Sequence, residues 1–388
     1  MSLPTPRVLA VRATLDDSEA LREALRRVDA DGAEWLMLLD SGEAPSEAAS
    51  LRAAPALPLF DAVFGGLETA RGLWRPSRLA FDEAERLPHA LLNWWVGEPR
   101  FLRAATLRNL LEDGSGEGRI ARLFRLWATA RCIKLAAPLV IAETEPAAGL
   151  TEAERGEVLR RLEERPAFLP IPYGDRIWRV PYTGRNAGIE RDQTRGVFFE
   201  AAELEYVKAR VGTGVRVVDV GANTGNHTVF FAGPMRAASV LPFEPLPQAA
   251  ATLRLAVEAN GFANVDLSML GQGVGAEPAR MHAVVSEGGG LGATRLEAGG
   301  EGGVPVVRLD DILTEPPGFL KIDVEGMELD VLRGASETIA RARPPIFVEV
   351  AERNTGAFLD WLELASYRIE RIFSDKGHAN YLIAPLDS

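Results

Sequence analysis

Residues Val215–Gly225 read Val-Arg-Val-Val-Asp-Val-Gly-Ala-Asn-Thr-Gly, an apolar run that breaks into a turn holding two glycines. A run carrying Val215, Val217, Val218 and Val220 suits a strand buried on both faces, as in a parallel sheet covered by helices. Gly221 and Gly225 let the backbone turn sharply and approach a ligand closely. Helical pattern resumes at His227. The segment therefore reads as a strand–turn–helix junction, where open α/β sheets bind their ligands.

Two phosphate-binding loops fail to fit. A Gly-x-x-x-x-Gly-Lys-Ser/Thr loop needs a lysine after its second glycine, and none follows Gly225. A dinucleotide fingerprint needs three glycines spaced Gly-x-Gly-x-x-Gly, whereas the spacing here is Gly221-x-x-x-Gly225 with Asp219 two residues ahead. An acid at that place suits a cationic ligand without phosphate, and S-adenosylmethionine (SAM) offers an α-amino group and a sulfonium. The next expected strand, Ser239–Phe243, ends at Glu244-Pro245. An acid there can take two ribose hydroxyls in a bidentate hydrogen bond.

The pattern continues to the end of the chain. Asn264–Leu270 is predicted as a short strand, followed by the loop Gly271-Gln-Gly273-Val-Gly275, able to lie against an adenine. Phe319–Asp323 is a further strand, followed by a helix through Glu328, Leu329, Val331 and Leu332. Glu328 and Asp330 are expected to face solvent or to pair locally. Pro345–Val350 is another strand with Glu349 near its end, and Tyr367–Phe373 with Asn380–Ala384 suit a closing strand pair. Several acids thus fall at the carboxyl ends of strands.

The segments Val218–His227, Phe243-Glu-Pro245, Leu309-Asp-Asp311 and Leu320–Glu328, in this order and spacing, resemble the FkbM-type methyltransferases over roughly residues 195–385. The resemblance implies a class I, Rossmann-like methyltransferase fold of the α/β class, with a mainly parallel seven-stranded sheet. It also implies methyl transfer from SAM, usually to a hydroxyl oxygen. By that resemblance Asp219, Gly221, Asn223 and Glu244 hold the cofactor, with Asp323 beside the methyl group. Ala222, Thr224, Gly225, Pro245 and Gly273 complete the expected cofactor set. In Gly288–Thr294, Gly290 stands where the family carries an Asn, which puts any contact made by that amide in doubt.

Methyl transfer is an in-line displacement, so positioning supplies much of the rate gain. A hydroxyl acceptor benefits from a general base, by about two to four orders of magnitude. Asp323, Glu325, His227 and Glu349 are the catalytic candidates, Asp323 first because it closes the strand nearest the expected methyl. Clustered carboxylates raise one another's pKa. The same cluster would suit Mg²⁺, a divalent metal that prefers carboxylate oxygens and water, and the sequence assigns no metal ligand. His89, His282 and His378 lack ligand-like spacing.

At 388 residues the chain is too long for one such domain. The formal charge of −12 and the lack of a basic stripe argue against a nucleic-acid partner. The single Cys132 excludes an internal disulfide, no run reaches membrane-spanning length, and Met1–Arg7 lacks a signal-peptide core. A cytoplasmic location is expected, with a small-molecule or glycan acceptor as partner and a homo-oligomer left open.

In residues 1–150 a strand at 7–12, a helix at 17–28, a strand at 35–39 and an apolar piece at 60–66 again read as α/β. This order resembles the nucleotide-sugar half of an A-type, family 2-like glycosyltransferase, in degenerate form. The second acid of its metal-binding Asp-x-Asp falls at Gly42, with Glu43 a poor substitute. Trp74, Trp94, Trp95 and Trp127, with Arg100, Arg103, Arg122, Arg125 and Arg131, read either as a sugar-stacking set or as core and solvated helix over 119–135. Residues 151–194 form a linker: a helix opened by the capping box Thr151-x-x-Glu154, then a hairpin turning at Tyr173–Arg176. Residues 195–388 complete the methyltransferase-like domain, with a mobile loop expected at 288–303. The acceptor is expected to be a sugar hydroxyl. A polyketide hydroxyl, a carboxylate, or a non-catalytic scaffold role in glycan assembly remains open.

Overall fold

The computed structural model describes residues 6–69, 71–75, 87–93, 96–112, 117–144, 149–164, 166–285, 294–298, 303–374 and 377–386. The chain divides into two compact units, Met1–Ala167 and Phe168–Ser388. Among the described residues no helix is long and apolar enough to cross a membrane.

The first unit is built on one mixed sheet. Its strands run in the order Val8–Arg12, Trp35–Leu39, Pro99–Arg103, Ala62–Thr69, Cys132–Ala142, Glu43–Pro45, with Trp74–Arg75 paired to Ala62–Thr69. Trp35–Leu39 is buried along its whole length because it lies inside that sheet. Helix Ser18–Asp31 opens on Asp17, whose carboxylate accepts from the Glu19 and Ala20 amides, and closes on left-handed Gly32.

Arg103, Arg122 and Arg125 are structural ties. Arg122 is fully buried, donating to the Leu15 carbonyl and Ser18 Oγ. Arg125 binds Glu117 and the carbonyls of Asn109 and Leu110. Arg103 reaches the Leu57 and Phe60 carbonyls and lies over the Trp35 ring. Trp94 and Trp95 lie outside the described residues. The expected helix over 119–135 ends at Thr129, and Cys132–Ala142 is a strand. Asp61 fixes the break by accepting from the Arg131 amide and guanidinium, each at 3.0 Å, and Pro138 could not sit inside a continued helix. Glu43 is turned inward, its two oxygens 2.6 and 2.9 Å from the Arg100 guanidinium, so it is not free to act as a metal ligand.

The expected capping box forms: Thr151 Oγ1 accepts from the Glu154 amide at 3.2 Å, and Glu154 accepts from the Thr151 amide at 2.8 Å. Helix Glu152–Glu164 follows, then the hairpin Ala167–Tyr173 and Arg176–Tyr182.

The second unit carries a six-stranded sheet. Its order is Ser239–Phe243, Arg216–Val220, Phe319–Ile322, Ile346–Ala351, His378–Pro385, Tyr367–Ser374. The first four strands are parallel, and His378–Pro385 runs antiparallel to both its neighbours. The valines of 217–220 are buried because this strand lies between two others. The expected seventh strand at 264–270 is reduced to two parallel bridges, Val240–Val265 and Glu244–Leu270. The Asp266 side chain takes the Ser268 amide at 2.9 Å, turning the chain locally and competing with the ladder.

A second, four-stranded sheet stands apart from the expected plan: Gly273–Val274, Val304–Val307, Ala279–Val285, Thr294–Ala298. Part of the expected loop at 288–303 is therefore strand, while residues 286–293 and 299–302, Gly290 among them, lie outside the described residues. Glu328 does not face solvent. It is fully buried and accepts from the Ala351 amide at 3.0 Å and from Asn354 Nδ2 at 2.9 Å. Asp330 does pair locally, with Arg333 at 2.5 Å. Asp310 caps helix Ser336–Ala342 by accepting from the Glu337 and Thr338 amides, so its place in the motif is structural.

The buried Arg100–Glu43 pair yields a prediction. Arg100→Met leaves Glu43 ionised and unpaired in the core, at a cost of about 3–5 kcal/mol. Arg100→Met/Glu43→Leu should lose less than the single variant, read as the shift in denaturant midpoint of the full chain. Equal midpoints for the two variants would contradict this.

Candidate active site

The loop after Arg216–Val220 is set by what it must pass. The amides of Gly221 and Ala222 both donate to the Phe243 carbonyl, at 3.0 and 2.9 Å. Gly221 has φ +76°, and a Cβ on it would lie 1.7 Å from the Asp323 carbonyl oxygen. Only glycine allows this approach. Asn223 then takes a left-handed conformation at φ +50°, uncommon for a residue with a side chain. It is held there from three sides. Its amide donates to Glu244 Oε2 at 2.8 Å, and its Oδ1 accepts from the Thr224 amide at 2.8 Å and from Asn186 Nδ2 at 3.2 Å.

A cavity of about 430 Å³ opens at these carboxyl ends. Of the expected cofactor set, Gly221, Asn223, Glu244, Pro245, Gly273 and Asp323 line it, as do the catalytic candidates Glu325 and Glu349. Asp219, Ala222, Thr224, Gly225 and His227 do not. Asp219 is 0% exposed and lies beneath the loop, accepting from Thr228 Oγ1 at 2.7 Å and standing 3.1 Å from Lys321 Nζ. A residue of a parallel strand covered on both faces has no free path to the cavity, so Asp219 acts on the site from below. His227 is turned away as well, stacked on Phe231 with Nε2 3.1 Å from Glu200 Oε2.

Several contributors carry no motif. Asn186, Phe199 and Glu200 reach the cavity from the segment before the fingerprint strand, and His378 from the start of the His378–Pro385 strand. Glu200 accepts from Asn380 Nδ2 at 2.7 Å. Burial acts to raise the Glu200 pKa, but His227, Asn380 and Lys321 outweigh it and hold the group below the ordinary range. The pairing of Glu349 with Asn380 and of Ala351 with His378 in adjacent strands brings these groups together. Nothing in local sequence signals that register.

The electrostatics are those of crowded acids. Oxygens of Asp323, Glu325 and Glu349 lie within 4.8 Å of one another, a spacing that a shared proton, an ammonium or a divalent cation could each relieve. Burial, then Asp323 and Glu325, push Glu349 up to about 9. Burial and Asp323 push Glu325 up to about 7. Glu244 is 5% exposed, and its burial raises it to about 7 against the pull of the Leu246 and Asn223 amides. His378 Nε2 stands 3.4 Å from Glu349 Oε2.

These residues can be tested against SAM directly. Each Glu244 oxygen accepts one backbone amide at 2.8 Å, leaving lone pairs for a diol. Phe243, Leu246, Val274 and Leu296 give the same region apolar walls for a base. Among the described residues, five carboxylates line the cavity and no lysine or arginine does. That lining suits a cationic cofactor without phosphate and opposes a pyrophosphate. The residues fit the group.

The fold is that of a doubly wound α/β protein, and the cavity lies beyond the carboxyl ends of its strands, where such folds bind their ligands. Residues 219–369 match the family described as Methyltransferase FkbM domain. No curated protein matches the chain. Solved structures similar to it include an rRNA methylase from Streptococcus thermophilus, 14% identical, with a TM-score of 0.33, covering 48% of this chain and 96% of that one. Another is precorrin 8W decarboxylase from Methanobacterium thermoautotrophicum, 15% identical, with a TM-score of 0.32, covering 49% of this chain and 91% of that one.

Glu349 makes the stability of the chain depend on pH. A carboxyl raised from an ordinary 4.5 to about 9 stabilises the fold fully below its unfolded value, and that contribution is lost as pH rises toward 9. Glu349→Gln removes the titration while keeping the shape. Its melting temperature should stay near that of the unaltered chain at pH 5 and exceed it by a growing margin to pH 9, in chelator-treated buffer. A constant difference across that range would refute the assignment.

Proposed function

We propose that this methyltransferase moves a methyl group from SAM to a hydroxyl oxygen, and that the acceptor is a sugar of a glycan or glycosylated metabolite. The observation that carries the reading is the cavity lined by five carboxyl groups and, among the described residues, by no lysine or arginine, with Glu244 after one strand, Asp323 and Glu325 in the loop after Phe319–Ile322, and Glu349 on the next strand. Adjacent strands are ~4.8 Å apart, so these acids spread over about 14 Å, room for a nucleoside and an amino-acid tail beside an acceptor.

When bound, SAM supplies a methyl on a cationic sulfonium and leaves as a neutral thioether. The chain's own residues do the rest. Glu244 takes the ribose hydroxyls, with Pro245 and Gly273 beside the base and Gly221 and Asn223 along the tail. Asp323, 3.5 Å from Lys321, presents a carboxylate to the transfer centre. The acceptor loses one proton as its oxygen gains the methyl. Glu349 and Asp323 are the candidates to take it, and Glu349 suits the task better. A general base works best when its pKa lies near the working pH, and a nearby cation would bring Glu349 down from about 9 toward that range. Glu200, Glu325 and Asn186 offer acceptors to the remaining hydroxyls of a polyol, which favours a sugar over an apolar acceptor. No metal step is needed for this scheme.

The reading is tested in two stages. Calorimetric titration with S-adenosylhomocysteine should give micromolar binding, weakened at least about tenfold in Glu244→Ala, which loses charge-assisted hydrogen bonds. Incubation with SAM and a panel of neutral sugars, polyketide alcohols and carboxylic acids should then release S-adenosylhomocysteine with the sugars. Product with only the alcohols or acids would replace the acceptor. Absence of cofactor binding would favour a scaffold role in glycan assembly.

A further inference from the structure

We infer that Lys321 is the positioning residue of the cofactor cradle: its buried ammonium locks the Gly221 carbonyl and the Asp323 carboxylate into one rigid unit. This rests on the SAM reading above.

Lys321 interrupts the strand Phe319–Ile322, where its neighbours Leu320 and Ile322 are apolar and fully buried. Its own side chain is 1% exposed. Burying an ammonium is costly, and an apolar residue would serve packing better. The cost is offset only by good pairing, and the pairing is directed at the cradle. The shortest contact is with the Gly221 carbonyl oxygen, at 2.6 Å. Asp219 Oδ1 follows at 3.1 Å, the Val220 carbonyl at 3.4 Å and Asp323 Oδ2 at 3.5 Å. The ammonium thus donates hydrogen bonds to the Gly221 and Val220 carbonyls and forms ion pairs with Asp219 below and with Asp323 at the transfer centre.

The arrangement follows from register. Asp219 and Lys321 are partners in neighbouring parallel strands, so their side chains lie side by side. Asp219 neutralises the ammonium, and Thr228 holds its other oxygen. The longer lysine then reaches past the strand end to the loop. Gly221 and Asp323 also touch directly through the approach that excludes a Cβ. Lys321 thus fixes from below two groups that the cofactor meets from above.

The test separates positioning from simple charge balance. Lys321→Met strands Asp219 in the core and should lower the melting temperature. Asp219→Asn/Lys321→Met removes both charges and should recover most of that loss. If Lys321 positions the cradle, calorimetry with S-adenosylhomocysteine will show the double variant about ten- to a hundredfold weaker than the unaltered chain. Asp219→Asn alone will weaken binding less than the double variant does. A double variant binding within threefold of the unaltered chain would overturn the inference and leave the SAM reading intact. An unaltered chain that fails to bind would instead overturn the SAM reading, and the inference with it.

Discussion

The close passage of Gly221 against the Asp323 carbonyl governs the second unit. It can exist only where two parallel strands are in register, end at the same level and turn outward together. The Asp323 amide, bonded to the Val220 carbonyl at 3.1 Å, is the last tie before they part. From that point the loop carries Asn223 into a left-handed conformation that Glu244 completes from the opposite strand. One backbone contact thus fixes where three site residues stand, and backbone strain stored there is sustained by surrounding hydrogen bonds.

Electrostatics builds on that frame. The acids of the cavity are not scattered surface charges. Each stands at or near the end of a buried strand or at the start of a helix, where water is partly withdrawn and neighbouring carboxylates repel. The chain holds most of its counter-charge out of the cavity. Lys321 lies below the loop, and His227 stands behind Glu200. A ligand entering from solvent therefore meets carboxylates first, and a cation is favoured over an anion before any specific contact forms.

Much of this was legible in the sequence, for physical reasons. A valine-rich run ending in glycines has few structural outlets, and acids after apolar runs fall at strand ends wherever the strands are parallel. Hence Gly221, Asn223, Glu244, Asp323, Glu325 and Glu349 could be picked out and do share one cavity. Asp219 looked the same on paper, yet sits two residues too early and faces inward. Glu200, Asn186 and His378 were not legible: strand register brings in His378, whereas Asn186 and Glu200 come from the starts of two helices before the fingerprint strand, and their local sequence carries no periodic signal. Lys321 was hidden differently. A lone lysine in an apolar run gives no sign whether it snorkels to solvent or turns inward, and only its register with Asp219 decides. The four-stranded sheet was masked by glycine-rich composition, which reads as loop.

The crowding of Asp323, Glu325 and Glu349 also bears on why such a site would keep a costly cluster. In the proposed reaction, transfer from a sulfonium to a hydroxyl would remove one positive charge from the cavity and deliver one proton to it. A carboxylate group poised to hold that proton keeps the net charge of the cavity unchanged across the reaction. With a cation present, the cluster is relieved by attraction; once it is gone, the same cluster is relieved by protonation. A single exposed acid would gain little from either event, because water already screens it. Three acids within 4.8 Å of one another, Asp323 and Glu349 half-buried and Asp323 backed by Lys321, respond strongly to both. The stability given up to hold them together is then the source of their sensitivity to the charge of what is bound.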